Sequence, residues 1–374
     1  MINKKWIWTN KRYPEFFYDI HILNPILLDI KYHQGLLDGI FRNISSEDID
    51  QINLNLLAID AIDTSAIEGN ILNRDSVRSS IAKKLAISIE GNDSSTIHTN
   101  GLIEFLLDAI INNQKQVTLE RIFGWHNCLF PTGYSGLQKI DVAQLRGPDE
   151  MQIVSGSYIK ESVHYIAPPR SRLDEEMTRF IDWINNDSDL SIIKAGIAHL
   201  WFVIIHPLDD GNGRIARALS DLILTKEAKA VIKLYSVSSA IKHDIKNYYS
   251  ILEKTTASES LDITLWLQWF LNTMLKSLKE SLKSVQYVID KTAFWNLHKN
   301  TVLNARQKKL LNKLLDMGVD NFEGSINTRK YAAITKTSKI TASRELKDLV
   351  DKNCIIQCKG TAGRNTSYEI LLCD

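Results

Sequence analysis

The stretch His206-Pro207-Leu208-Asp209-Asp210-Gly211-Asn212-Gly213-Arg214-Ile215-Ala216-Arg217 concentrates the residue types that could do chemistry. Pro207 disfavours helix continuation, and Gly211 and Gly213 permit positive φ, so the run reads as an irregular loop. From Arg214 to Thr225 a helical period resumes. A glycine-flanked turn that feeds a helix N-terminus aims several backbone N–H groups at one spot, which suits phosphate oxygens. Arg214 and Arg217, three residues apart, share a helix face and can clamp two phosphates of one chain. Asp210 is a lone carboxylate beside that cradle, the kind of ligand Mg2+ takes when phosphates and water fill the rest of its shell. His206 opens the loop, and a neutral imidazole near pH 7 can accept the proton of an attacking hydroxyl. Base, metal ligand, anion nest and two cationic clamps thus fall within one short run.

Elements rich in helix must hold that run in place. Leu200-Trp201-Phe202-Val203-Ile204-Ile205 is apolar enough for a buried helix leading into it. Residues 51–67 carry Ile52, Leu56, Ile59, Ile62 and Ile67 near a 3.6 period, with Gly69 as a stop. Leu102–Ile111, Leu119–Leu129, Glu175–Asn185, Ile192–Ile205 and Ile263–Val288 also fit helices, the last apolar on one face and lysine-rich on the other. Between Gly147 and Pro169 the pattern changes. Gln152-Ile153-Val154, Gly156 and Tyr158-Ile159 suggest a short hairpin, closed by Ala167-Pro168-Pro169. The first 45 residues are rich in aromatics, from Trp6 to Tyr18, and suggest a small packed N-terminal unit.

The 374 residues, 44% hydrophobic, can bury a large core, and a net charge of +1 gives no global argument for nucleic acid or membrane. Residues 292–374 hold 14 Lys+Arg against 8 Asp+Glu, so a mildly basic C-terminal module follows an acidic body. Cys128, Cys354, Cys358 and Cys373 lack CxxC spacing and read as reduced structural thiols. With no apolar run of membrane length and no signal-like start, the expectation is a cytoplasmic protein that does not enter a membrane.

The run 206–217 resembles the signature HPFx[D/E]GNGRxxR of the Fic (filamentation induced by cAMP) family, with Leu208 in place of the phenylalanine. The resemblance covers roughly residues 118–275. It implies a protein adenylyltransferase that moves AMP from ATP, with Mg2+, onto a Ser, Thr or Tyr hydroxyl of a protein target, the chain itself included. On that basis His206 is the general base, Asp210 binds Mg2+, and Asn212 contacts the α-phosphate region. Gly211 and Gly213 complete the phosphate loop, while Arg214 and Arg217 hold the β/γ end. Leu208 is expected to be a core anchor.

Thr64-Ser65-Ala66-Ile67-Glu68-Gly69-Asn70 resembles the family's inhibitory motif [S/T]xxxE[G/N]. Physically the carboxylate of Glu68 sits at the negative end of a helix dipole, which disfavours it there. The resemblance implies that Glu68 pairs with Arg217 in place of the ATP γ-phosphate. A bidentate Arg–carboxylate contact is worth roughly 1.5–3 kcal/mol, so its loss changes activity about 10- to 150-fold. The hairpin near 151–166 resembles the family's flap, on which a target segment adds as a strand, with Ile153 and Val154 clamping the modified side chain. In Asn247-Tyr248-Tyr249, the resemblance makes Tyr249 a lining residue of the nucleotide site. Two alternatives stay open: a de-AMPylase or bifunctional enzyme that uses Glu68 to orient water, and a DNA-binding regulator with a secondary Fic core.

The expected fold class is mainly α, a Fic helical core with a small β-hairpin flap and a C-terminal winged-helix domain. The expected divisions are 1–100 (with the inhibitory helix at about 51–69), 101–290 for the catalytic core and 300–374 for the winged helix. Residues 1–45 resemble an N-terminal domain of unassigned role. In the C-terminal module Ser338 is expected to cap a third helix, and Lys359–Asn365 to form a basic wing. Lys339, Ser343, Arg344 and Lys347 then face DNA or a protein partner, and homodimerisation is open.

Overall fold

The computed structural model describes residues 5–42, 46–87, 92–157, 160–187, 189–228, 235–317, 325–358, 360–361 and 366–372. It is mainly helical. After a 3-10 turn at Ile7–Thr9 come α1 (Ile20–Phe41), α2 (Ser46–Ile67), α3 (Arg74–Leu85), α4 (Ile97–Ile111) and α5 (Leu119–Leu129). Two short antiparallel hairpins follow, β1 (Tyr134–Ser135) with β2 (Gln138–Lys139), then β3 (Gln152–Ser157) with β4 (Lys160–Ile166). The chain continues through α6 (Arg170–Asn186), α7 (Ser191–Ile205), α8 (Asn212–Ala228), α9 (Val237–His243), α10 (Ile245–Thr256) and α11 (Thr264–Leu297). It closes with α12 (Ala305–Met317), α13 (Thr328–Thr335), α14 (Lys339–Asp351), β5 (Ile355–Gln357) and β6 (Tyr368–Ile370).

Two compact units share the chain. One comprises Met1–Ile40 and Asn53–Ser281, the other Phe41–Ile52 and Leu282–Asp374, so the divisions fall at the end of α1 and inside α2 and α11. The aromatic N-terminal segment groups with the first unit. Helix α11 outruns its expected end at Val288. It reaches Leu297, because no glycine or proline interrupts it and Phe294 is buried.

The first unit is built around α7. Ile192, Ile193, Ile197, Leu200, Phe202, Ile204 and Ile205 are all buried, so this helix is apolar nearly all round and must be central. Helix α8 packs along it, with Ser220 Oγ donating to Ala195 O at 3.0 Å. Trp266 of α11 donates its indole N–H to Gly196 O at 2.8 Å. Thr118 caps α5 by accepting the Arg121 N–H, which fixes where that helix starts.

In the second unit, Leu310, Leu311, Leu314, Tyr331, Leu346, Leu349 and Ile355 form a core of their own under α12–α14 and the β5–β6 hairpin. Ser338 accepts the Thr341 N–H and caps α14, as its place in the sequence suggests. Glu345, buried beneath α14, accepts from Arg306, Asn304 and Tyr331 and ties α12, α13 and α14 together. Most of the expected wing, like the tip of the β3–β4 hairpin at 158–159, lies outside the described residues. Among the described residues no helix is long and apolar enough to cross a membrane.

Candidate active site

The site lies where α7 ends and α8 begins. His206 caps α7 in the left-handed region (φ 47°), its N–H bonded to Phe202 O at 3.0 Å. Because a carbonyl can only accept, the 3.2 Å contact between Nδ1 and Val203 O places the ring proton on Nδ1. Nε2 is then left as a bare lone pair. Burial lowers the His206 pKa to about 4, against the raising pull of Val203 O, Glu68 and Asp210, and the Arg146 charge adds to the lowering. At neutral pH the ring is uncharged and able to take a proton.

The loop after it is braced from inside. Leu208 is fully buried and fills the anchor role expected of it. Asn212, 2% exposed, brackets that residue: its Oδ1 accepts the Leu208 N–H at 3.1 Å, and its Nδ2 donates to Leu208 O at 2.7 Å. The Asn212 amide is therefore spent on loop shape. Gly211 adopts φ +81°, and a Cβ there would press on Phe130 Cε2 at 3.0 Å, so both conformation and space call for glycine. Its carbonyl accepts the Ile215 N–H at 3.0 Å and starts α8.

Asp210 faces the mouth of the loop. One of its oxygens accepts the Ser135 hydroxyl from the β1–β2 hairpin, and the other accepts the Gly211 N–H. Arg214 Nη2 lies 3.8 Å from it, too far for a hydrogen bond. The Arg214 guanidinium stacks over Phe130, 4.8 Å from the ring centre. It is 6% exposed, and among the described residues its Nε and Nη2 have no hydrogen-bond partner. Burial lowers its pKa, opposed by Asp210 and Glu68. A buried cation with unspent donors is a site shaped for an anion.

One turn further on, Arg217 is 3% exposed and differently placed. Its Nε donates to Thr64 Oγ1 at 2.8 Å, and its Nη2 donates to Thr64 O at 3.0 Å and to Glu68 Oε1 at 2.7 Å. The pair with Glu68 is single, not the bidentate fork the sequence suggests, because Thr64 takes the rest of that edge. Burial is the largest influence on the Arg217 pKa and depresses it, yet Glu68, Tyr248 and Tyr249 together hold the value above normal. Nη1 has no partner among the described residues. Glu68 itself sits in the turn after α2, which ends at Ile67, with Gly69 at φ +80° beyond it. A Cβ on Gly213 would collide with Glu68 Oε1, so the carboxylate lies directly against the first turn of α8.

Around this core, Tyr249 donates its hydroxyl to Ile67 O at 3.2 Å and remains 46% exposed, at the edge of the Glu68 turn. Its neighbour Tyr248 is buried and shares a 3.0 Å hydrogen bond with His199 Nε2. On β3, Ile153 is half-buried and Val154 exposed, and a bulge separates them. Ile153 pairs with Tyr165, whose hydroxyl donates to Ile204 O at 2.7 Å, two residues before His206. No group of three or more His, Cys, Asp or Glu side chains able to hold a metal occurs among the described residues.

Three participants have no mark in the sequence. Ser135 reaches Asp210 from a hairpin of two-residue strands. His126, buried beside Asp209 and Asp210, accepts the Ala143 N–H at 3.2 Å. Arg146, 2% exposed, donates Nε to His206 O at 2.8 Å and Nη2 to Pro168 O, while its own N–H goes to Pro207 O at 2.9 Å. A lone arginine in a loop gives no periodic signal, so only tertiary contact reveals that it ties the His206 turn to the end of the hairpin.

Comparison with known proteins agrees with this geometry. A model of a domain of unknown function, DUF4172, matches residues 6–87, and the Fic/DOC family model matches residues 116–224. Protein adenylyltransferase fic-1 of Caenorhabditis elegans is 25% identical over 169 residues, 44% of this chain and 30% of that protein. A uridine 5'-monophosphate transferase of Xanthomonas campestris is 30% identical over 118 residues, 29% of this chain and 21% of that protein. The chain spans about a third of the length of the curated adenylyltransferases it matches first. In fold, a Fic family protein from Desulfovibrio desulfuricans superposes with TM-score 0.55 at 18% identity, covering 96% of this chain and 98% of that one. The C. elegans Fic-1 structure gives TM-score 0.50 at 19% identity, covering 73% and 74%. Loop, helix and fold together place residues 116–224 of this chain in the Fic/DOC family.

Proposed function

We propose that this protein is an adenylyltransferase that moves AMP from ATP onto a Ser, Thr or Tyr hydroxyl of a protein, its own chain included, and that Glu68 holds it inactive. The observation that carries this reading is the pair of buried guanidiniums at the start of α8, with N–H groups that have no partner among the described residues, on the helix that follows the loop opened by a neutral imidazole. The names of the curated relatives support nucleotidyl transfer as the class.

In this reading the triphosphate lies along the first turn of α8, where backbone N–H groups and Arg214 hold its charge. His206 Nε2 takes the proton of the target hydroxyl as that oxygen attacks the α-phosphorus. The bond from the α-phosphorus to the bridging oxygen breaks, and pyrophosphate leaves. Positioning and charge stabilisation supply most of the rate. Asp210, a single carboxylate whose oxygens accept from the Ser135 hydroxyl and the Gly211 N–H, with no cluster of further ligating side chains among the described residues, fits Mg2+ shared with phosphates and water. Bound there, Mg2+ would neutralise phosphate charge.

Glu68 stands where a terminal phosphate would meet Arg217. Its carboxylate and that phosphate compete for one cation, so a transferable pose of ATP requires Glu68 to withdraw. Intact mass of the Glu68→Gly protein after incubation with ATP and Mg2+ tests the reading. An AMP adduct is expected, and none when His206→Ala is added. Absence of adduct from both would remove it. Incubating an already modified chain with wild-type protein tests the de-AMPylase alternative, and loss of the adduct there, dependent on Glu68, would replace the present reading.

The C-terminal unit supports a second, independent reading. We propose a winged-helix module whose α14 presents Lys339, Ile340, Ser343, Arg344 and Lys347 to solvent, with Glu345 turned into the core. A basic exposed face free of carboxylate over that stretch favours a phosphate backbone as its partner. Salt-dependent binding of duplex DNA by the full chain, lost in Arg344→Glu, is the expected result, and salt-independent or absent binding would reverse it.

A further inference from the structure

The segment Trp6–Phe17, inside the matched domain of unknown function, has no part in the chemistry above. Its contacts converge on one place. Trp8 donates its indole N–H to Ile166 O, at the end of β4, at 2.7 Å. Trp6, 5% exposed, meets Tyr165 edge-on with ring centres 5.5 Å apart. Arg172, in the first turn of α6, stacks over Trp8 at 5.5 Å and pairs with buried Glu176 at 2.6 Å, which fixes the Trp8 ring from its other side. At its far end the segment joins the loop before α11. Asn10 Nδ2 donates to Glu259 O at 2.7 Å, and Phe17 exchanges backbone hydrogen bonds with Leu261 and Ile263 at 3.0 and 2.9 Å.

The same few residues of the hairpin root are gripped by the catalytic loop. Tyr165 holds Ile204 O, and Arg146 bridges Pro168 O and His206 O. A two-stranded hairpin has little stability of its own, so its direction is set by what holds its base. Here β3–β4 forms a sheet only with itself among the described residues, and it is held by the His206 turn, by Trp6 and Trp8, and by the 3.0 Å contact of His164 with Glu253 of α10.

We propose that the aromatic N-terminal segment is a positioning element for the β3–β4 hairpin: Trp8, through Ile166 O, sets how the hairpin presents itself to a target strand. The inference rests on the transferase reading for what the hairpin receives, but the geometry of the brace stands apart from it. Backbone addition to a strand needs correct register and angle, and a hairpin free to swing loses that preorganisation. Nucleotide binding, which uses the α8 turn, does not pass through this brace.

The test uses the full chain in the Glu68→Gly background, with Trp8→Phe, which keeps the ring over Arg172 and removes the donor. One net hydrogen bond corresponds to about a 2- to 12-fold effect. Hydrogen exchange of the hairpin amides is expected to quicken by that factor while those of α7 and α8 hold. With radiolabelled ATP, the ratio of AMP transferred to the chain over ATP hydrolysed is expected to fall by a similar factor, with KM for ATP unchanged. Hairpin exchange equal to that of the parent would overturn the proposal. So would a uniform quickening that includes α7 and α8, since that marks a general loss of stability. If the Glu68→Gly parent consumes no ATP at all, the transferase reading fails, and the exchange measurement still decides the brace.

Discussion

The two ends of the phosphate cradle are held in opposite ways. At the end formed by His206, Asp210 and Arg214, the protein supplies shape and leaves donors unspent. At the Arg217 end it supplies its own anion, from another helix. Arg214 and Arg217 are both buried and three residues apart, yet among the described residues Nε and Nη2 of Arg214 have no partner, whereas Arg217 gives Nε and Nη2 to Thr64 and Glu68 and keeps Nη1 unpaired. The lesson concerns where control resides. In the proposed reading the groups for transfer lie on the 206–211 loop and the start of α8, and the restraint is a separate contact to Arg217 from the turn after α2.

Breaking the transfer end is expected to have the largest effect. In the Glu68→Gly background, His206→Ala removes the proposed general base and is expected to lower AMP incorporation by about 10²- to 10⁴-fold, with ATP affinity retained. Labelled-AMP incorporation alongside equilibrium ATP binding separates the two. Ser135→Ala, which strips the side-chain donor from Asp210, is expected to raise the Mg2+ concentration for half-maximal rate by about 10-fold, as for a charge-assisted hydrogen bond. At the restrained end, Thr64→Val removes the acceptor of Arg217 Nε but leaves Glu68. It is expected to raise wild-type activity by only about 3-fold, less than any change at Glu68. A Thr64→Val protein more active than Glu68→Gly would reverse the roles assigned to the two residues.

Acidity sharpens the same contrast. Burial lowers the His206 and His126 pKa values to about 4 and that of His199 to about 3. Native protein therefore binds fewer protons than unfolded chain between about pH 4 and the ordinary histidine value near 6.5, and stability falls as pH drops through that window. The base stays neutral over the same range, so the acid limb of kcat/KM is expected below pH 6, within the range where circular dichroism still reports a folded chain. A limb at 6.5 or above would mean that His206 is not the buried neutral group described here.

The transfer end was legible in the sequence because its functional groups are local. A proline, two glycines and two arginines at fixed offsets imply a loop, a helix start and a shared face without any knowledge of the rest. Glu68 was legible only by resemblance, since nothing local to Thr64–Asn70 says which cation it meets 149 residues away. Asn212 shows the limit in the other direction. The resemblance implies a contact with the α-phosphate region, and what the side chain meets in the structure is the Leu208 backbone, a bracing role that the run alone does not show. Arg146 and Ser135 stayed hidden because a single residue in a loop or a two-residue strand leaves no periodicity. Helix α11, expected to end at Val288, runs on to Leu297 because helix-forming residues continue without a glycine or proline.

The central claim is that one carboxylate restrains an otherwise complete site. It is tested most directly by the initial rate of labelled-AMP incorporation in Glu68→Gly against wild type, at equal ATP, Mg2+ and protein concentration. That contact is a single charge-assisted hydrogen bond, worth roughly 1.5–3 kcal/mol, so its release predicts a rise of about 10- to 150-fold. A Glu68→Gly rate no higher than wild type, with the variant folded and binding ATP, would contradict it.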